Sequence, residues 1–515
     1  MGTVKTLVCA AALFAVLAIS SIINFSNLGA SSLFSDEAIY AVSAHNAVTH
    51  GQWYPSVYQH APYSWKPPLA VWPVAASFSM FGESAFSDRA PSAFLGVLDA
   101  GILFVCASWM LGPAYGFLAA MLLATSPAWL AWHGWHGPRQ GVTEPLFCLC
   151  LMAALVFYQK YRDVRARKWL LAACVAAACS GLCKGLVGPV FLFFATAANE
   201  WSRRREERGK QGADSGRTVL SALQVPALLL LGGISLYLPW ALDNALRDPG
   251  FLAQMYRDVV VRLVHGLEPA HVSGPLFYPQ LLVDAFGWPG LLVMAVGLAV
   301  ALLQPPQNDR PRALRLTALW GLIVLAVASC SVSKLPWYVT PALPALAVMI
   351  AAGTRALVAR IAIDRRLAML AVAAIGVTLG DRVWAAWNST QVAYTPRKIQ
   401  MQALAQAIRR MPEARFYSDN FDKAPTPSLA GWNMYFREWN EYYLEQIEYR
   451  VQAIPDRLPA DGCDVVLTDR AEELLRRPGF ADAQVIPITR YDEREGHFAV
   501  LDRCNGRIEA ELRAL

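Results

Sequence analysis

Long apolar runs broken by short basic loops fill the first three quarters of the chain. They lie near residues 7–23, 91–111, 114–132, 142–158, 169–183, 185–198, 219–240, 281–303, 316–331, 336–353 and 367–383. A bilayer core takes about 20 apolar residues at the helical rise, so these runs predict an α-helical polytopic membrane protein of about 11–13 transmembrane helices. From about residue 391 the pattern changes. Helical periodicity over 398–410, strands over 415–418 and 464–468, a helix over 471–477, and strands over 485–489 and 497–501 predict a soluble α/β domain. The expected division is a membrane domain over 1–384 and a C-terminal α/β domain over 385–515.

Composition narrows this further. Of 515 residues, 55% are hydrophobic and only 16% charged, against about 25% charged in soluble domains. Three soluble domains, a disordered chain and a small disulfide scaffold are thereby excluded. The net charge of +6 is unevenly divided: residues 1–380 hold 27 Lys+Arg against 18 Asp+Glu, the remainder 18 against 21. The excess base sits in short loops beside apolar runs, so membrane topology accounts for it and nucleic acid is not implied. Basic loops at 160–168, 203–217, 310–315 and 355–366 all fall on the side of Lys5 when eleven spans are threaded. That side is expected to be the cytoplasm. The first run lacks a convincing cleavage site and reads as a retained anchor. The opposite face receives loops over about 26–88 and 241–280 together with the C-terminal domain.

The chemistry-bearing residues gather on that opposite face. Asp36 and Glu37 follow the first span. Neighbouring side chains on a helix point apart, so one carboxylate can act on a substrate as a base while the other supports the structure. Capping of the next helix is the competing reading. Trp53, Tyr54, Tyr58, Tyr63 and Trp65 suit the headgroup layer of a membrane. Lys66 precedes Pro67 and Pro68, which hold the backbone extended and restrict its ammonium. Such an ammonium is either a phosphate ligand or a snorkelling lysine. Lys184 and Lys334 interrupt apolar runs, where an ion costs on the order of 2.5 to 3.5 kcal/mol and tends to be kept for function. All eight histidines map to the same face. His133 and His136 in WHGWHG read as an interfacial turn before a metal site, and His265 near Arg262 as a contact to phosphate or metal or as a simple hydrogen-bonding residue. No GxxxxGK[ST] loop or GxGxxG turn is present. Cys463 and Cys504 lie beside predicted strands, as a disulfide or as two core thiols.

The DE pair, Tyr40, KPPL at Lys66, DRAPSA at 88–93, GLCKG at 181–185, VVVRLVHG at 259–266 and SKLPWYVTP at 333–341 occur in an order that resembles polyprenyl-phosphate-sugar glycosyltransferases of the GT-C class. The resemblance is to the lipid A aminoarabinose transferases and protein O-mannosyltransferases, over roughly residues 30–345. It implies a GT-C-like fold and transfer of a sugar from a polyprenyl-phosphate donor to lipid A, another envelope glycan or protein. It also implies a bacterial cytoplasmic (inner) membrane location with the active site external. By resemblance Asp36, with Glu37, is catalytic; Lys66, Lys184, Arg262 and Lys334 bind the donor phosphate. Tyr40, Arg139, Glu144, Tyr338 and His265 line the cavity. Ile39 stands where the aminoarabinose enzymes have an arginine, and Trp65 where they have an acidic residue. The second departure removes a metal-binding carboxylate, so no metal is assigned and a divalent ion stays open. The rival reading is a lipid or sugar transporter, which predicts paired repeats that this chain does not display.

Overall fold

The computed structural model describes residues 2–30, 33, 36–58, 61–62, 64–130, 137–211, 216–266, 271–304, 309–361, 365–392, 407, 410–411, 413–418, 451–459, 461–468, 471–488, 498–508 and 510. Helix α1 (Gly2–Phe25) leads to α2 (Asp36–His50), a hairpin of β1 (Val57–Tyr58) and β2 (Ala61–Pro62), α3 (Trp72–Phe81) and α4 (Ala85–Leu111). Next come α5 (Pro113–Ala124), α6 (Glu144–Val164), α7 (Arg167–Lys184), α8 (Val187–Gln211) and α9 (Gly216–Arg247). A corner of α10 (Phe251–Tyr256), a π-helical stretch at Arg257–Val261 and α11 (Arg262–Val264) precedes α12 (Phe277–Leu303). Helices α13 (Asp309–Cys330), α14 (Leu343–Ile361) and α15 (Arg365–Val392) complete the bundle.

Among the described residues, α1, α4 to α9 and α12 to α15 occupy the predicted apolar runs, and six helices are long and apolar enough to cross a membrane. Helices α6, α7 and α8 are also long but carry Glu144, Lys184 and Glu200, so polar groups dilute their hydropathy. The chain is a multi-pass membrane protein. Local chemistry sets the helix ends. Ser84 and Ser87 form a reciprocal capping box at the start of α4. Gly112, at φ 100, ends α4 in a conformation that L side chains resist, and Pro113 opens α5 at once.

Burial separates inner from lipid-facing helices. Within Pro336–Arg360, 67% of the most apolar window lies inside the protein, whereas the figure for Thr6–Phe25 is 17%. Helix α14 is therefore central, and α1 presents Leu7, Phe14 and Ile22 outward. Lipid tails are as apolar as these side chains, so close packing rather than hydrophobic expulsion must hold the helices together. Gly297 of α12 and Gly353 of α14 supply it: a Cβ on Gly353 would fall 1.9 Å from the Val293 carbonyl oxygen, and one on Gly297 1.8 Å from that of Met349.

The C-terminal sheet has the order β4-β3-β5-β7-β6, with β3 (Arg415–Ser418), β4 (Val451–Ala453), β5 (Asp464–Thr468), β6 (Gln484–Ile488) and β7 (Phe498–Asp502). Strand β3 is parallel to β4 and β5, and β7 is antiparallel to β5 and β6. Two predicted strands coincide with β3 and β5, two are shifted by one residue, and β4 was not anticipated. The helix predicted over 471–477 is confined to Ala471–Leu474. Most of the helix predicted over 398–410, and His60, His133, His136 and His497, lie outside the described residues. Cys463 and Cys504 form a disulfide across 41 residues. Met411, Phe416, Val500 and Ile508 share one apolar core with Ala38, Tyr40 and Val42 of α2 and Val74 of α3.

Gly353→Val is expected to weaken the bundle by about 1–3 kcal/mol through overpacking, read as a lowered Tm in detergent. Gly376→Ala, where the new Cβ meets nothing within 4 Å, serves as the control. Equal Tm values for the two variants would refute the close crossing.

Candidate active site

Helix α2 begins at Asp36, and its first turn carries both carboxylates of the DE pair. Negative charge there is favoured by the unpaired N–H groups of the helix end. The two side chains then diverge. Glu37 is buried and takes a forked pair of bonds from Arg89 of α4, Nη2 to Oε1 at 2.6 Å and Nε to Oε2 at 3.0 Å. The Gly141 amide donates to the same Oε2 at 3.0 Å, and Arg89 Nη1 donates to the Leu28 carbonyl at 2.9 Å. Through these bonds the Glu37 carboxylate ties α2, α4 and the segment before α6 together. Asp36 is half-buried, and Tyr40, one turn on, donates its hydroxyl to Asp36 Oδ2 at 3.4 Å.

Asp88, beside Arg89, is also buried, and neither carboxyl oxygen has a hydrogen-bond partner among the described residues. A Cβ at position 141 would lie 1.9 Å from Asp88 Oδ2, so only glycine allows this approach. Sequence reasoning missed Arg89 and Gly141 as partners of Glu37; the DRAPSA string was the available signal for the first.

Arg139 and Glu144, five residues apart, turn to different partners. Arg139 donates to the carbonyls of Ile23, Asn24 at 3.2 Å and Ser26 at 2.9 Å, so it caps the C-terminal end of α1. Burial, then the nearby Arg89 charge, pulls its guanidinium down to about 10. Glu144 instead binds Lys184 Nζ at 2.5 Å, joining the first residue of α6 to the last of α7. Lys184 is thus neutralised by a carboxylate.

A second grouping forms where α11 meets the segment after α13. Arg262 Nη1 donates to Tyr338 Oη at 3.1 Å, and its Nη2 lies 3.6 Å from Asp258. The amides of Val332 and Ser333 donate to the carbonyls of Leu263 and Arg262, and that of Lys334 to His271. Lys334 is buried with its ammonium on the Ser331 carbonyl. His265 is exposed, and His271 is the histidine joined to this segment, through its carbonyl. Lys66 is half-buried; the turn that follows it, Pro68–Ala70, packs on α7. Among the described residues no three His, Cys, Asp or Glu side chains are arranged to hold a metal.

The sequence profile of the family described as "Dolichyl-phosphate-mannose-protein mannosyltransferase" matches residues 65–211, a stretch that contains Lys66, Arg89, Arg139, Glu144 and Lys184. An undecaprenyl phosphate-alpha-4-amino-4-deoxy-L-arabinose arabinosyl transferase of Pseudomonas aeruginosa is 27% identical over 345 residues, 65% of this chain and 57% of that one. One from Pseudomonas savastanoi is 26% identical over 328 residues, 61% and 56% of the two chains. The crystal structure of ArnT from Cupriavidus metallidurans bound to undecaprenyl phosphate superposes with a TM-score of 0.63 at 16% identity, covering 95% of this chain and 97% of that one. The chain is thus similar in sequence to these transferases and shares the fold of ArnT. The Archaeoglobus fulgidus oligosaccharyltransferase shares the fold more distantly, with a TM-score of 0.51 at 13% identity over 84% of this chain and 63% of that one. The chain spans a little over half the length of the curated relatives it matches.

Removing one member of the Glu37 and Arg89 pair strands a buried charge. Arg89→Met is therefore expected to lower stability by about 3–5 kcal/mol. Glu37→Gln with Arg89→Met should lose less than the two single changes together, measured as unfolding free energies in detergent; additive losses would refute the coupling.

Proposed function

We propose that the protein transfers a sugar from a polyprenyl-phosphate donor to an acceptor on the non-cytoplasmic side of the inner membrane. The observation that carries this reading is the Arg262, Lys334 and Tyr338 grouping: two cations held by hydroxyl and carbonyl oxygens at the ends of apolar helices, on a fold shared with a protein crystallised with undecaprenyl phosphate. Arg262 also lies 3.6 Å from Asp258. Lys334, whose ammonium rests on a carbonyl rather than a carboxylate, supplies positive charge for a lipid phosphate. The basic loops support a cytoplasmic placement of the other helix ends. Residues 1–384 form the membrane catalytic domain and 385–515 an external domain that supports α2.

In the reaction the acceptor oxygen forms a bond to the anomeric carbon as the bond from that carbon to the phosphate oxygen breaks. The electron pair leaves with the polyprenyl phosphate. Arg262, Lys334 and Lys66 stabilise the charge that grows on the departing phosphate, which makes them act chiefly in the transition state. For a hydroxyl acceptor Asp36 takes the proton, with Tyr40 orienting its carboxylate. Lys184 and Glu144 line the cavity as a neutral pair. The acceptor is lipid A, another envelope glycan or a protein.

Purified protein in liposomes with a labelled polyprenyl-phosphate sugar and an envelope extract should make a new glycosidic product. Asp36→Asn is expected to lower that rate by about 10² to 10⁴ without altering Tm. Redistribution of unchanged donor lipid with no product, in wild type and variant alike, would replace this reading with transport.

A further inference from the structure

Between α2 and α3, the described stretches 53–58 and 64–66 are fastened at three places. The Trp72 indole nitrogen donates to the Trp53 carbonyl at 2.9 Å. The Tyr54 hydroxyl donates to Asp243 Oδ2 at 2.7 Å, and Ser64 Oγ to Asp248 Oδ2 at 3.3 Å. Both aspartates belong to the corner where α9 turns into α10. That corner is stiff: Trp240 and Phe251 are buried with their rings 5.6 Å apart. Asp248 Oδ1 accepts from the Gly250 amide at 2.8 Å, and Arg247 holds Asp243 at 2.8 Å. Burial, then the Asp243 bond, pushes the Tyr54 phenol up to about 12, so it remains a donor. Lys66 stands two residues beyond the last fastening, just before Pro67 and Pro68.

We propose that Asp243 and Asp248 are positioning residues: they dock this strap on the α9–α10 corner and thereby aim the Lys66 ammonium at the donor phosphate. The physical case is one of register. Tyr54 and Ser64 are both tied to a rigid corner, and the prolines after Lys66 forbid compensation on its other side. Loosening either tie therefore frees the ammonium rather than the helices around it. The assignment rests on the donor role proposed for Lys66, whereas the fastening itself does not.

The test labels lysines of the purified full-length protein with an amine-reactive ester, follows each by peptide mass spectrometry, and titrates undecaprenyl phosphate as protectant. Asp243→Asn and Tyr54→Phe are each expected to speed Lys66 labelling about 3- to 10-fold and to raise the half-protecting lipid concentration about 5-fold, the loss of one charge-assisted hydrogen bond. Lys160, on the opposite side of the bundle, should label as before. The double variant should do no more than either single one, and Asp243→Glu should recover most of the protection. Unchanged Lys66 labelling, faster labelling with unchanged half-protection, or equal acceleration at Lys160 would each overturn the proposal. If undecaprenyl phosphate fails to protect Lys66 in the wild-type protein, the donor role of that lysine and this assignment fall together. Absence of sugar transfer with protection intact would sink only the enzymatic reading.

Discussion

The forked bond between Glu37 and Arg89 is the constraint on which the geometry of the site depends. Both side chains are almost wholly removed from solvent, and an unpaired charge there would cost several kcal/mol. Pairing alone would still leave lone pairs and protons unanswered. The Gly141 amide and the Leu28 carbonyl answer them. The ion pair thereby joins four stretches of chain: the end of the first span, α2, α4 and the approach to α6. Successive residues on a helix lie about 100° apart around its axis, so burying Glu37 in this tie turns Asp36 to a different side. The adjacent acids divide into one that holds the helix and one that the helix displays.

The same rule runs through the bundle and sorts its cations. Lys184 meets Glu144, Arg162 meets Glu200, and Tyr158 donates to that same glutamate. These pairs join different helices and add directional ties to a packing that apolar surfaces cannot specify by themselves. They also cancel charge. Lys334 is different, because its ammonium rests on a carbonyl, and a dipole offsets a full charge only in part. Arg139 spends its donors on the end of α1, where the carbonyls of a helix terminus favour a cation. A cation available for an anionic ligand is thus distinguished from a structural one by what sits opposite it.

That distinction is why the fold was more legible in the sequence than the site. Apolar runs of crossing length are imposed by the bilayer itself, so they located the helices directly, and alternation located β3 and β5 within a residue. Partner choice has no such periodicity. Arg139 and Glu144 stand five residues apart, yet they bind Ile23 and Lys184 in opposite directions along the chain. Glu37 and Asp36 are indistinguishable as letters until Arg89, 52 residues away, selects one of them. Strand β4 is three residues long and escaped notice because alternation needs more positions to show. The Arg262 and Tyr338 contact joins residues 76 apart; only the ordered strings on either side hinted at it.

The C-terminal sheet enters the same argument from the other side of α2. Its sheet buries Asp464 between Arg415 and Arg503, and the Cys463–Cys504 disulfide closes β5 onto the chain just past β7. These features give a small sheet the rigidity that its limited core would not supply alone. Met411, Phe416, Val500 and Ile508 then carry that rigidity into the apolar core shared with α2 and α3. Helix α2 is consequently gripped twice, by an ion pair at its first turn and by apolar packing along its length. An ion pair that acts at one point leaves the helix free to tilt about it, and apolar packing tolerates small slides. Together they leave α2 with neither freedom, which is what a carboxylate displayed at its first residue requires.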